Sequence, residues 1–207
     1  RPNAQGLDLN RDYMKLDAPE TRAMVRLMNA WRPHVVVDTH TTNGSLHRYE
    51  LTFGASQCPA GSAAPLEWTR DVMLPEVSRR VRERTGYDTF WYGDFDAQHT
   101  EWRTYPWHPR YGGGYHGLVG VVSILTEAYS YAPFKDRVLS TMEFVRECLM
   151  YAAEERVALL SVVEEASRAA QRGEPNEIGI RFEYAAFEAP VVVKGWQERA
   201  REGGGTE

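Results

Sequence analysis

The residues best suited to chemistry lie just after two apolar runs. Val35-Val36-Val37 leads into Asp38-Thr39-His40, and the run over residues 119–125 leads into Thr126-Glu127. In an open α/β sheet, ligands bind beyond the carboxyl ends of the strands, where both His40 and Glu127 fall. An imidazole and a carboxylate converging there can hold a metal ion or move a proton to and from a substrate. The same two residues also read as a hydrogen-bonded loop histidine and a solvated or salt-bridged strand-end carboxylate. A further string, His47-Arg48-Tyr49-Glu50, has the spacing of a metal-binding pair and reads as a coincidence of spacing, with a site from His40, His47 and Glu50 as the alternative. Asp38, two residues before His40, is placed either away from the site or to orient one of its members. His34 reads as a strand-edge residue, and His99 and His116 as pocket or surface. Cys58 and Cys148 lack metal-type spacing and read as buried thiols.

Several elements must position these groups. Residues 17–31 predict an amphipathic helix, with Asp17 and Glu20 as a capping box, Pro19 in the first turn, and Met24, Leu27, Met28 and Trp31 at helical spacing. Pro33 stops it, and Val35-Val36-Val37 follows as a buried strand ending in a polar loop. Residues 65–84 predict a helix bent at Pro75. Residues 87–115 hold ten of the 24 aromatic residues and several glycines, and read as loop and pocket wall. Residues 134–172 contain neither Pro nor Gly. Val138, Met142, Val145, Leu149, Ala152, Leu159, Val163 and Ala166 keep a three-or-four spacing there, as one long helix or two in tandem. The tail carries β-favouring pieces over residues 180–184 and 191–193.

The segment Asn3-Ala4-Gln5-Gly6-Leu7-Asp8-Leu9-Asn10-Arg11, preceded by Arg1 and followed by the strands ending in His40 and Glu127, resembles the zinc metallocarboxypeptidases of the carboxypeptidase A and D type (peptidase family M14) over roughly residues 1–150. The resemblance implies one Zn²⁺ ion, with His40 as its third ligand and Glu127 as the general base. It implies Asn10 and Arg11 as the clamp on the substrate's terminal carboxylate, and Arg1 as the arginine facing the developing oxyanion. It also implies a loop tyrosine, for which Tyr105 and Tyr111 are the candidates. Gly112-Gly113-Gly114 stands where the family sets side-chain preference. The family's His-x-x-Glu precedes the Asn-Arg segment, so the two remaining zinc ligands are expected upstream of Arg1 and the chain reads as a fragment.

The chain has 207 residues, with 24 basic and 29 acidic side chains and a net charge of −5, which excludes a basic face for nucleic acid or anionic membrane. Its 43% hydrophobic content excludes disorder, and no apolar run reaches the ~18–20 residues of a membrane span. The resulting expectation is an α/β domain of three-layer α/β/α type with a mixed, mostly parallel sheet. Residues 1–150 would be the C-terminal portion of a carboxypeptidase-like catalytic domain, and 151–207 a helical extension with a β-rich tail. The expected substrate is a peptide or a small carboxylate-bearing amide. The rivals are an amide hydrolase of the aspartoacylase and desuccinylase type, and a metal-free carboxylate-binding pseudoenzyme.

Overall fold

A computed structural model describes residues 2–106, 108–174, 183 and 185–196. Arg1, assigned above to an oxyanion, and most of residues 180–184 lie outside them. The centre is a four-stranded mixed sheet in the order β1-β6-β2-β3, formed by β1 (Val35–Thr41), β2 (Leu51–Ala55), β3 (Thr89–Trp91) and β6 (Val122–Ala128). β1 runs parallel to β6 and β2 parallel to β3, while β2 and β6 are antiparallel. A small ribbon of β4 (Asp94–Phe95) and β5 (Trp102–Arg103) stands apart. Residues 87–115 are therefore not loop throughout, because they also hold β3 and most of α4 (Gly112–Leu118).

Alternation along the strands gives the sheet two unlike faces. Val35, Val37, Leu51, Phe53, Ala55, Trp91, Val122 and Ile124 share one face and join a single apolar core. That face is covered by α3 (Leu74–Thr85), α5 (Phe134–Glu154) and α6 (Arg156–Gln171), through Val77, Val81, Phe144, Cys148 and Leu159. Phe144 is fully buried and stacks on Phe53 at 5.2 Å. The opposite face presents Asp38, His40, Ser123, Glu127, Thr52 and Gly54, with α4 packed against β1 and β6.

Several boundaries differ from the sequence reading, each for a physical reason. Both chemical strands extend through their polar ends: β1 and β6 stay paired from Val35↔Val122 to Thr41↔Ala128, so Asp38, His40 and Glu127 lie within strands. β6 begins at Val122 because Val119 caps α4 and Gly120 takes a left-handed turn at φ 82°. The helix over 17–31 is α1 (Pro19–Trp31), with no side-chain cap at Ala18. Asp12 takes over the role of the expected capping box, accepting the backbone N–H groups of Asp17 and Ala18 at 2.9 Å. The helix over 65–84 divides into α2 (Ala63–Glu67), a π-helical segment (Trp68–Met73) and α3. Pro75 can donate no hydrogen bond to the turn before it, and the wider π segment absorbs the mismatch.

The C-terminal helical region is two helices; the expected stripe holds in α6, where Leu159 and Ala166 are buried and Val163 packs on the core, but not in the first part of α5. α5 buries Ser140, Phe144, Glu147, Cys148 and Tyr151, whereas Val138, Met142 and Leu149 are exposed. α1 likewise buries Thr21 and Val25 and leaves Leu27 and Trp31 outside. Residues 191–193 form no strand. The segment around them docks on the loop before β2, where Lys194 N donates to Tyr49 Oη at 2.8 Å and Trp196 Nε1 to the His47 carbonyl at 2.8 Å.

Candidate functional site

The polar face of the sheet gathers the residues that sequence reasoning singled out. His40 and Glu127 are direct register partners on parallel strands, so their side chains leave the same face side by side. Asp38, two residues back, shares that face, and its Oδ2 lies 2.9 Å from His40 Nε2. The two groups are in close contact without an aligned hydrogen bond at the enclosed Nε2, and form an ion pair when His40 carries its second proton. The Asp38 carboxylate holds His40 above the ordinary histidine range and also fixes the direction of its ring.

Glu127 lies in an environment unusual for a carboxylate. It is buried, and desolvation pushes its carboxyl up to about 7, with the Asp38 charge adding to the rise and His40 opposing it. Above it stand two tyrosines, Tyr92 and Tyr105, with ring centroids 5.6 Å apart. Tyr105 Oη donates to the Ala55 carbonyl at 3.2 Å, and its ring lies over Gly54, the one strand position here with no side chain to displace it. Burial raises both phenols, Tyr92 to about 12, with the Glu127 carboxylate contributing, so both keep their protons at neutral pH. Sequence reasoning had Tyr105 as a candidate and missed Tyr92, which precedes the ribbon and carries no spacing signal.

Asn10 and Arg11 come from a single 3₁₀ turn (Leu9–Arg11) capped by Asp8, whose carboxylate accepts from Asn10 N at 3.0 Å. This turn reaches the site by a splice between distant segments. Asn10 Oδ1 accepts Gly112 N at 2.8 Å, and Tyr13 N donates to the Arg110 carbonyl at 3.3 Å. Arg11 then rests against the Tyr111 ring, 4.3 Å from its centroid. Gly112 is buried against Tyr13 and Asp38, where a methyl group would come within 3.2 Å of the Tyr13 ring and 3.4 Å of Asp38 Oδ2. Tyr111 thus sits with Asn10 and Arg11, while Tyr105 is held against the sheet beside Glu127. Arg110, unnoticed in the sequence, enters the same cluster, 5.2 Å from the Tyr111 centroid.

The structure does not bring the other metal candidates to this place. His47 is fully buried among Tyr49, Trp102 and Tyr129, with Nδ1 accepting from Tyr49 N at 3.2 Å. Glu50 spends its carboxylate on Asp88 N at 2.8 Å, anchoring the start of β3. His116 is buried on α4 against Tyr13 and Tyr115, and His99 stacks on Phe95 at the surface. Cys58 and Cys148 are buried free thiols, as expected. Among the described residues no group of three or more His, Cys, Asp and Glu is arranged to hold a metal ion. A zinc ion at this site would therefore combine His40 with donors outside those residues. An imidazole oriented by a carboxylate is suited to such a role.

Compared with protein-family models, with curated proteins and with solved structures, the chain finds no match in any of the three. Among the described residues, no helix is long and apolar enough to cross a membrane.

Proposed function

We propose that this chain forms the carboxylate-binding and proton-transferring side of a zinc-dependent hydrolase that removes the C-terminal residue of a peptide, within a carboxypeptidase-like three-layer α/β/α domain. The observation that carries the reading is the register pair His40–Glu127, on the polar face of the sheet and next to the turn that bears Asn10 and Arg11. When bound with His40 among its ligands, a zinc ion supplies Lewis-acid polarisation and a water acidic enough to be deprotonated near neutral pH.

The remaining steps belong to this chain's own side chains. Arg11 offers a planar fork to the two oxygens of a terminal carboxylate, with the Asn10 amide beside it. Its stacking on Tyr111 limits the freedom lost when substrate binds. Glu127, held at about 7, accepts a proton at its carboxylate oxygen and returns it to the departing amine within the same pH range. Tyr92 and Tyr105 wall the carboxylate from water and present neutral hydroxyls.

The test is hydrolysis of an N-blocked dipeptide, with its C-terminus free or amidated, by the zinc-loaded protein. Turnover should require the free carboxylate and fall by about 10²–10⁴ in Glu127→Gln, with peptide affinity retained. Undiminished turnover in that variant removes Glu127 from the chemistry. Cleavage of free and amidated substrates alike removes the carboxypeptidase reading and favours a general amide hydrolase. Carboxylate binding with no turnover under zinc loading leaves a recognition module.

A further inference from the structure

Two guanidinium groups share one aromatic ring at the edge of the candidate site. The Arg11 and Arg110 Cζ atoms lie 4.3 Å and 5.2 Å from the Tyr111 centroid, so they are separated by less than the sum of those distances. Each donates to a neutral oxygen, Arg11 to the Asn10 carbonyl at 2.7 Å and Arg110 to Tyr111 Oη at 3.2 Å. Neither is in an ion pair among the described residues, although arginines elsewhere, such as Arg79 and Arg80, are. The pairing is not an accident of loose loops, because a backbone bond from Tyr13 N to Arg110 O and a bond from Gly112 N to the Asn10 side-chain Oδ1 splice the segments that carry them. Two like charges held this close repel each other, and an anion shared between them relieves the cost.

We infer that Arg110 is a specificity-determining residue that receives a second carboxylate, so that the site prefers a C-terminal Glu or Asp. This rests on the reading of Asn10 and Arg11 as the clamp for the terminal carboxylate. With that carboxylate at Arg11, the acidic side chain of the same residue carries its own carboxylate toward the neighbouring guanidinium. A hollow of about 300 Å³ lined by Met14, His108, Pro109 and Arg110 gives room for it. A neutral C-terminal residue leaves one guanidinium unmatched, and a C-terminal Lys or Arg adds a third positive charge.

The experiment is equilibrium binding to the full chain, read by fluorescence anisotropy, of three dye-labelled tripeptides. These are Ala-Ala-Glu and Ala-Ala-Ala with free C-termini, and Ala-Ala-Glu amidated at its C-terminus. The Glu peptide should bind about tenfold more tightly than the Ala peptide, as one additional charge-assisted contact gives. Arg110→Ala should bring the Glu peptide down to the affinity of the Ala peptide, Arg110→Lys should restore part of the preference, and added salt should narrow it. Amidation should weaken the Glu peptide in wild type, and Arg11→Ala should abolish that dependence. Equal affinity for Glu and Ala peptides, with amidation still weakening binding, overturns the role of Arg110 and leaves the clamp standing. Indifference to amidation, or no saturable binding of any peptide, overturns the clamp itself and this inference with it.

Discussion

The two faces of the central sheet are built from the same four strands and obey different rules. One face is held by apolar volume: Phe53, Ile124 and Val122 meet Phe144, Val77 and Val81 with almost no solvent exposure. The other is held by backbone spacing and directed polar contacts: Asp38 beside His40, Asn10 on the Gly112 amide, Tyr105 on the Ala55 carbonyl. A strand such as β6 serves both at once, with Val122, Ile124, Thr126 and Ala128 turned one way and Ser123, Leu125 and Glu127 the other. The difference teaches that stability and chemistry are separable in this chain along a period of two residues. Neighbouring positions should therefore answer mutation in different currencies.

The largest expected effect tests the apolar face. Phe144→Ala removes a fully buried ring stacked on Phe53 and should cost about 3–5 kcal/mol of unfolding free energy in urea titration. Its mirror on the polar face is Glu127→Gln. Burial holds that carboxyl up at about 7, so at neutral pH its ionisation works against the folded state, and the amide should leave stability within about 1 kcal/mol of wild type or raise it. Equal losses for the two variants would break the separation of the faces.

A second effect lies at the edge of the sheet, where His47 is sealed inside an aromatic box. Desolvation lowers its pKa from 6.5 to about 4, so the unfolded chain binds a proton that the folded chain refuses between those values. Stability contributed by neutral His47 is therefore full above about pH 6.5 and is lost as pH falls toward 4, by on the order of 2–3 kcal/mol. His47→Asn keeps a side-chain acceptor for Tyr49 N and cannot titrate. Unfolding at pH 7 and pH 4.5 should show a steeper loss in wild type than in this variant. Parallel losses would show that the box admits water to the ring.

What could be read in the sequence follows the same division. Strands β1 and β6 were legible because β-branched runs and the polar residues after them are local signals, and so were α1, α5 and α6 as helices, whereas β2, β3 and the small ribbon were not. Which side of a helix is buried was not, because that choice depends on what lies opposite. α5 turns Phe144 and Cys148 toward Phe53 and Ile124, and leaves Val138, Met142 and Leu149 outside despite their regular spacing. The capping box failed for a related reason: Asp12, five residues ahead of Asp17, is bent back onto the amides of Asp17 and Ala18, and the helix starts after Ala18. In the candidate site, His40 and Glu127 could be found from their strands, and Asn10 and Arg11 from their motif. Arg110 and Tyr92 could not, since they gain meaning only from contacts spanning about a hundred residues of chain or a turn over the sheet.

The smallest effect sharpens the comparison most, because it alters spacing alone. Gly112 has an ordinary backbone conformation, so alanine there meets no conformational strain and gains a little helix propensity at the start of α4. Its methyl group, however, would press to 3.2 Å from the Tyr13 ring and 3.4 Å from Asp38 Oδ2, and these neighbours must yield by a few tenths of an ångström. On the apolar face a methyl group of extra volume is met by repacking, at a cost of about 1–3 kcal/mol in stability. On the polar face it falls on the carboxylate that directs His40 and on the amide that anchors Asn10. Gly112→Ala should therefore unfold within about 1 kcal/mol of wild type, while the Tyr13 and His40 ring resonances move and affinity for peptides with a free C-terminus falls. Unmoved resonances with unchanged affinity would mean that the polar face, too, repacks around a change in volume, and that spacing is not what positions the clamp.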